Sequence, residues 1–176
     1  GGTLTLSPGI SLTVTNAPTN ITTFATALTG SGSFTKQGTG TLVLNGTNTT
    51  YTGSVTVGQG ILTVAHNNAL GTTAKGVTVS SGASLRVANG ITITDALTLS
   101  GAGENASGAL QLLSGAATVS GDINLSTTTV SINSAGALSL SGVIGGTNLI
   151  SNGTGSLILS GTNSYGNTTV SAGTLS

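Results

Sequence analysis

Charge is nearly missing from this chain. Lys and Arg number 3, Asp and Glu number 3, and the 176 residues carry a net charge of zero. The charged fraction of 3% sits far below the roughly 25% of ordinary domains. No basic footprint exists for nucleic acid or anionic lipid. Cys, Met and Trp are absent, so there is no disulfide framework and no thiolate chemistry. Only two Tyr and two Phe are present. A core without large aromatics is thin, built from Leu, Val, Ile and Ala, which suits a solenoid. No apolar run is long enough to span a membrane as a helix, and no charged-then-apolar leader stands at the start.

What is present is alternation. Leu42 and Leu44 share a face with Val43 opposite, and Val55/Val57, Leu62/Val64, Val77/Val79, Leu85/Val87 and Leu97/Leu99 follow the same period of two. Leu110/Leu112, Ile123/Leu125, Val130/Ile132, Leu138/Leu140 and Leu157/Leu159 continue it. Thr, Ser and Asn fill the places between, and Gly, Asn and Ser clusters bound each pair as turn signals. The 29 Gly do not follow a Gly-X-Y period, which excludes collagen. Strands recurring roughly every ten residues fit a β-sandwich or a parallel β-helix. Short apolar pairs, frequent Gly corners and a pattern that runs through both chain ends favour the second. The expected fold is all-β: a right-handed parallel β-helix (β-solenoid), open at both ends. With coils of about 22 residues stacked ~4.8 Å apart, it makes roughly eight coils and a rod of about 40 Å.

One string occurs twice. Gly38, Gly40, Leu42, Leu44, Gly46, Asn48 and Tyr51 return as Gly153, Gly155, Leu157, Leu159, Gly161, Asn163 and Tyr165, the copies starting 115 positions apart. The second copy is one residue shorter between Asn and Tyr and again between Tyr165 and Val170. Self-similarity at a fixed offset marks repeat architecture. The domain reading is therefore one solenoid segment over 1–176, cut from a longer repeat protein, with copies near 38–63 and 153–176 in a unit of about 115 residues. Each member of the string has a structural role, with Gly at corners, Leu pairs in the core, and Tyr over an edge with its hydroxyl on a corner carbonyl. Val43 and Ile158 occupy equivalent places facing away from the Leu pairs, and form a candidate lateral contact with a neighbouring chain.

The string, with Thr52-Gly53, Val57 and Gly60-x-Leu62 after the first copy, resembles the autotransporter-associated β-strand repeat. That resemblance implies a passenger region of a large Gram-negative surface protein. Such a passenger is exported through the outer membrane by a separate C-terminal barrel and folds outside the cell. The expected location is thus extracellular, at the bacterial surface. The expected partners are adjacent repeats end to end, with identical chains laterally as a second possibility. Nucleic acid and direct membrane insertion are not expected.

Catalysis needs paired titratable groups. The supply is Lys36, His66, Lys75, Arg86, Asp95, Glu104 and Asp122, scattered and never two within a few residues. No catalytic, metal or cofactor residue is assigned, and the expectation is a protein that is not an enzyme. Asn-x-Ser/Thr triplets at Asn20, Asn45, Asn48, Asn105, Asn124, Asn152 and Asn167 read more economically as corner Asn residues than as glycosylation sites. Thr-x-Thr pairs at Thr3/Thr5, Thr13/Thr15, Thr92/Thr94 and Thr127/Thr129 raise ice binding, but their irregular spacing argues against one continuous row. The leading functional expectation is a structural rod. The alternative is an adhesin-type module for glycans or cell surfaces, for which neither an aromatic patch nor a loop insertion is visible.

Overall fold

A computed structural model describes residues 2–176, apart from the side chains of Thr127 and Thr128. Every strand pairing in it is parallel, and the chain winds into a β-solenoid of about eight turns. Each turn visits three faces. The first face holds Thr3–Leu6, Ala27–Gly30 and Thr50–Tyr51, and later Thr92–Ile93, Ala116–Val119, Ala137–Leu140, Ser156–Leu159 and Thr174–Leu175. The second holds Ser11–Thr15, Ser33–Gln37, Val55–Val57, Val77–Val79 and Leu97–Leu99. The third holds Ile21–Phe24, Thr41–Leu44, Gly60–Val64, Ala83–Val87, Leu110–Leu112 and Thr168–Val170. Two long strands, Ile123–Ser134 and Ile144–Ser151, run from the second face onto the third, with a register irregularity between Leu125 and Thr129 at the corner. The first face is continuous through an unpaired stretch, because the Thr72 amide bonds the Tyr51 carbonyl at 2.8 Å and the Thr92 amide bonds Asn67 Oδ1 at 2.9 Å.

Turn length varies. Ser156 lies beside Thr174 and Leu97 beside Ile123, so a turn takes between 18 and 26 residues. Right-handed winding remains the expectation, from the strong preference for right-handed crossovers between parallel strands.

Like stacks on like inside. Leu42, Leu62, Leu85, Leu110 and Ile132 follow one another in register on the third face, all fully buried. Val55, Val77, Leu97, Ile123 and Ile144 do the same on the second. Alternation explains this directly: successive side chains point to opposite sheet sides, and the apolar set turns inward. Phe24 and Phe34 meet with ring centroids 6.2 Å apart, tilted by 59°, a favourable aromatic arrangement.

Corners are held by close main-chain approach. A Cβ at Gly136 would press on the Gly115 carbonyl oxygen, one at Gly155 on that of Gly136, and one at Gly173 on that of Gly155. Gly60 adds a positive φ of 66° and faces the carbonyls of Gly38 and Gly40. Gly82 has a similar φ of 80° with open space around its Cβ position. These two separate crowding from backbone strain. Gly82→Ala should cost about 1 kcal/mol, the left-handed penalty alone, and Gly60→Ala clearly more; urea denaturation of both variants reads the difference.

Candidate functional site

Among the described residues no pocket opens and no group of three or more His, Cys, Asp or Glu gathers. The candidate site is therefore the repeated string and the surfaces it shapes.

In the first copy, Leu42 and Leu44 are fully buried on the third face. Asn48, also buried, ties three turns together. Its Oδ1 accepts from the Leu28 amide at 2.7 Å in the turn below, and its Nδ2 donates to the Ala69 carbonyl at 2.6 Å in the turn above. That bonding occupies both ends of the amide, so this Asn is not open to modification in the folded chain. Gly46 leaves room for it, since a Cβ there would stand 2.9 Å from Asn48 Oδ1. Tyr51 is fully buried, with its hydroxyl 2.8 Å from the Gly32 carbonyl and 3.0 Å from that of Ser54. Burial pushes its phenol up to about 12.

The second copy sits one face further round. Leu157 is buried and Leu159 partly buried, on the first face. Asn163 Oδ1 accepts from the Ile144 amide at 3.1 Å, the same bond to the turn below that Asn48 makes. Gly153 and Gly161 lie against the carbonyls of Ser134 and Gly142. Tyr165 is half-buried, and its hydroxyl bonds Thr168 Oγ1 at 2.9 Å instead of a corner carbonyl. The spacing of 115 residues thus corresponds to five full turns plus one face.

That rotation separates Val43 from Ile158. Val43 lies half-buried on the third face, between Thr23 and Thr63. Ile158 lies half-buried on the first face, beside Ser139. Equivalent in sequence, they do not share a face, so the two together cannot form one lateral contact.

The titratable residues stay apart, each held by main chain or amide. Lys36 is fully buried, on the inward row between Val14 and Val57. Its Nζ donates to the carbonyls of Gln37, Gly38 and Gln59 at 2.8, 2.6 and 3.1 Å. Burial lowers its pKa, and the charge of Glu104 pulls the other way. In the sequence Lys36 reads as one scattered charge. Its inward place is nonetheless legible in Phe34-Thr35-Lys36, where it takes the second apolar position. Asp95 is buried at a corner, and burial raises its carboxyl to about 6. Arg86 donates through Nε and Nη2 to Gln111 Oε1 at 3.1 and 3.0 Å. Asp122 Oδ1 accepts from the Val143 amide, and His66 Nδ1 from the Asn68 amide. Lys75 is exposed.

The structure corrects the expected absence of an insertion. The longest turn carries extra residues between Leu97–Leu99 and Leu110–Leu112, with a short 3-10 segment at Glu104–Ala106. Asn105 and Ala106 adopt positive φ of 50° and 57° there. Buried Ser84 Oγ joins this loop to the third face, accepting from the Glu104 amide at 2.9 Å and donating to the Gly108 carbonyl at 2.7 Å.

Residues 34–64 and 149–176 match the family model of the passenger-associated-transport-repeat. The chain carries two such passenger repeats. The two matched segments begin 115 positions apart, the offset of the repeated string, and each repeat makes one circuit of the solenoid and starts one face later in the second copy. A 62-residue stretch, 35% of this chain, is 40% identical to the Adhesin BmaC autotransporter of Brucella suis biovar 1 (strain 1330). The chain spans 2% of that relative. No solved structure matches the chain.

Two variants test the buried charges. Lys36→Met should destabilise by about 2 kcal/mol, because three inward carbonyls lose a charged donor; chemical denaturation at neutral pH measures it. For Asp95, the folded pKa of about 6 exceeds its usual 3.8, so its contribution is most favourable below the unfolded value and is lost as pH rises through 6. Asp95→Asn should therefore melt higher than the parent at pH 7, with the gap closing below about pH 4.

Proposed function

We propose that this segment is a structural rod, part of the extracellular stalk of a larger autotransporter-type surface protein. The observation that carries the reading is the unbroken parallel register over about eight turns, with every interior position given to packing or corner bonding. Neighbouring copies stack end to end on the open strand edges of the outer turns. Copies at the same spacing would each advance by one face, so a given surface returns to the same side after three. Two passenger repeats, and the likeness to an exported relative, support a location outside the outer membrane. Few Lys or Arg are offered to trypsin-like proteases, and the absence of Cys suits passage in an unfolded state.

An adhesive role is the second reading. The relative's name supports it, and so does the loop around Glu104–Ala106, where two consecutive left-handed residues stand on the longest turn. Against it, interface hot spots favour Trp, Tyr and Arg. Both Tyr here are engaged in intramolecular bonds, and Arg86 is tied to Gln111. Electron micrographs of the purified chain should show short rods that associate end to end, alongside a blank glycan array. Glycan binding by particles that never associate would sink the rod reading in favour of the adhesin.

A further inference from the structure

The pairs of threonines two residues apart do not build a surface row; threonines one turn apart do. On the second face, Thr13, Thr35, Thr56, Thr78 and Thr98 follow one another in register through five successive strands. Turn lengths along this row are uneven, which hides it from sequence spacing. Each Thr is the central residue of its strand, and its neighbours on either side turn into the core: Val55 and Val57 around Thr56, Val77 and Val79 around Thr78, Leu97 and Leu99 around Thr98. All five threonines are exposed or half-buried. The row ends at Asn124, which takes the next position above Thr98. Of the Thr-x-Thr pairs, only Thr13/Thr15 contributes a member, and Thr127 lies outside the described side chains.

The chemistry of the row is narrow. The strands that carry it contain one charged residue, Lys36, and that side chain points inward. A nucleic acid needs a basic face, and a protein partner needs aromatic or Arg anchors; this face has neither. It offers a methyl and a hydroxyl per turn, repeated at ~4.8 Å. The β-branched side chain is stiff about χ1, so the same pose recurs up the row. Each hydroxyl fixes one water, each methyl restricts the orientations of those beside it, and no charge imposes a competing hydration shell. The resulting file of waters has a repeat only slightly longer than the oxygen spacing along the basal rows of hexagonal ice.

We propose that this threonine row is an ice-binding surface, with crystalline water as its ligand. The proposal does not depend on the rod reading, since a stalk that binds ice and one that does not would look alike in micrographs. The test is ice recrystallisation inhibition and thermal hysteresis with the purified chain. Expected are slowed grain growth and faceted crystals, with the double substitution Thr56→Lys, Thr78→Lys raising the effective concentration at least tenfold. Thr63→Lys, on the third face, should leave the activity unchanged. Circular dichroism melts confirm folding, and if the lysine pair does not fold, Thr56→Ser with Thr78→Ser removes only the methyls and should weaken activity in the same direction. No inhibition by the folded parent chain, equal loss in the third-face control, or unaltered activity in a folded double variant each overturns the proposal.

Discussion

The main-chain ladder between successive turns sets the terms for everything else in this molecule. Each strand shares hydrogen bonds with the turn below and the turn above, and those bonds run along the solenoid axis. The spacing of turns is therefore a property of the backbone, at ~4.8 Å, and side chains must fit within it. Aliphatic residues meet the demand by stacking on copies of themselves, as the Leu42–Leu62–Leu85–Leu110 row does. At the corners the same spacing leaves no room for a Cβ, and the run Gly115, Gly136, Gly155, Gly173 answers that crowding. Asn48 and Asn163 then bond amides that the corners would otherwise leave open.

The scarcity of charge has a physical counterpart in how the remaining charges are housed. Lys36 sits among apolar side chains but directs its ammonium at three carbonyl oxygens, which meets the requirement that a buried charge be hydrogen-bonded. Asp95 is the costlier resident, its carboxyl raised by desolvation toward the neutral form. Neither belongs to a cluster that could share a reaction. The surface is correspondingly plain, and what it presents to the outside is periodicity more than chemistry. A passenger repeat built this way extends length at constant cross-section, which is the property a stalk uses. It also presents regular rows, which suits a partner that is itself a lattice.

Much of this is legible in the residues. Strict alternation places Leu42, Leu44 and Leu157 inside, and the Gly and Asn clusters mark corners that the structure does contain. Lys36 is legible too, as the inward-phase partner of Phe34, yet its charge hides a place that the alternation assigns. The role expected of Tyr fits Tyr51, whose hydroxyl reaches corner carbonyls. It fails for Tyr165, where two shortened spacings put the ring half outside and its hydroxyl on Thr168. The insertion near Glu104 escapes notice because Gly-rich corner sequence and Gly-rich loop sequence look the same without the pairing on either side.

The sequence by itself determined which side of each strand is inside, where the corners fall, and that one string recurs 115 residues later. These are local properties, carried by a period of two and by residues that permit tight turns. Only the tertiary structure decided what stands above what. Turns here take between 18 and 26 residues, so the offset from one turn to the next cannot be summed from spacing alone. Register comes from the ladder closing around a whole turn, with the variable corners absorbing the difference. For that reason Val43 and Ile158, equivalent in the string, came to lie on different faces. For the same reason, five threonines with no regular spacing along the chain came to stand in one line.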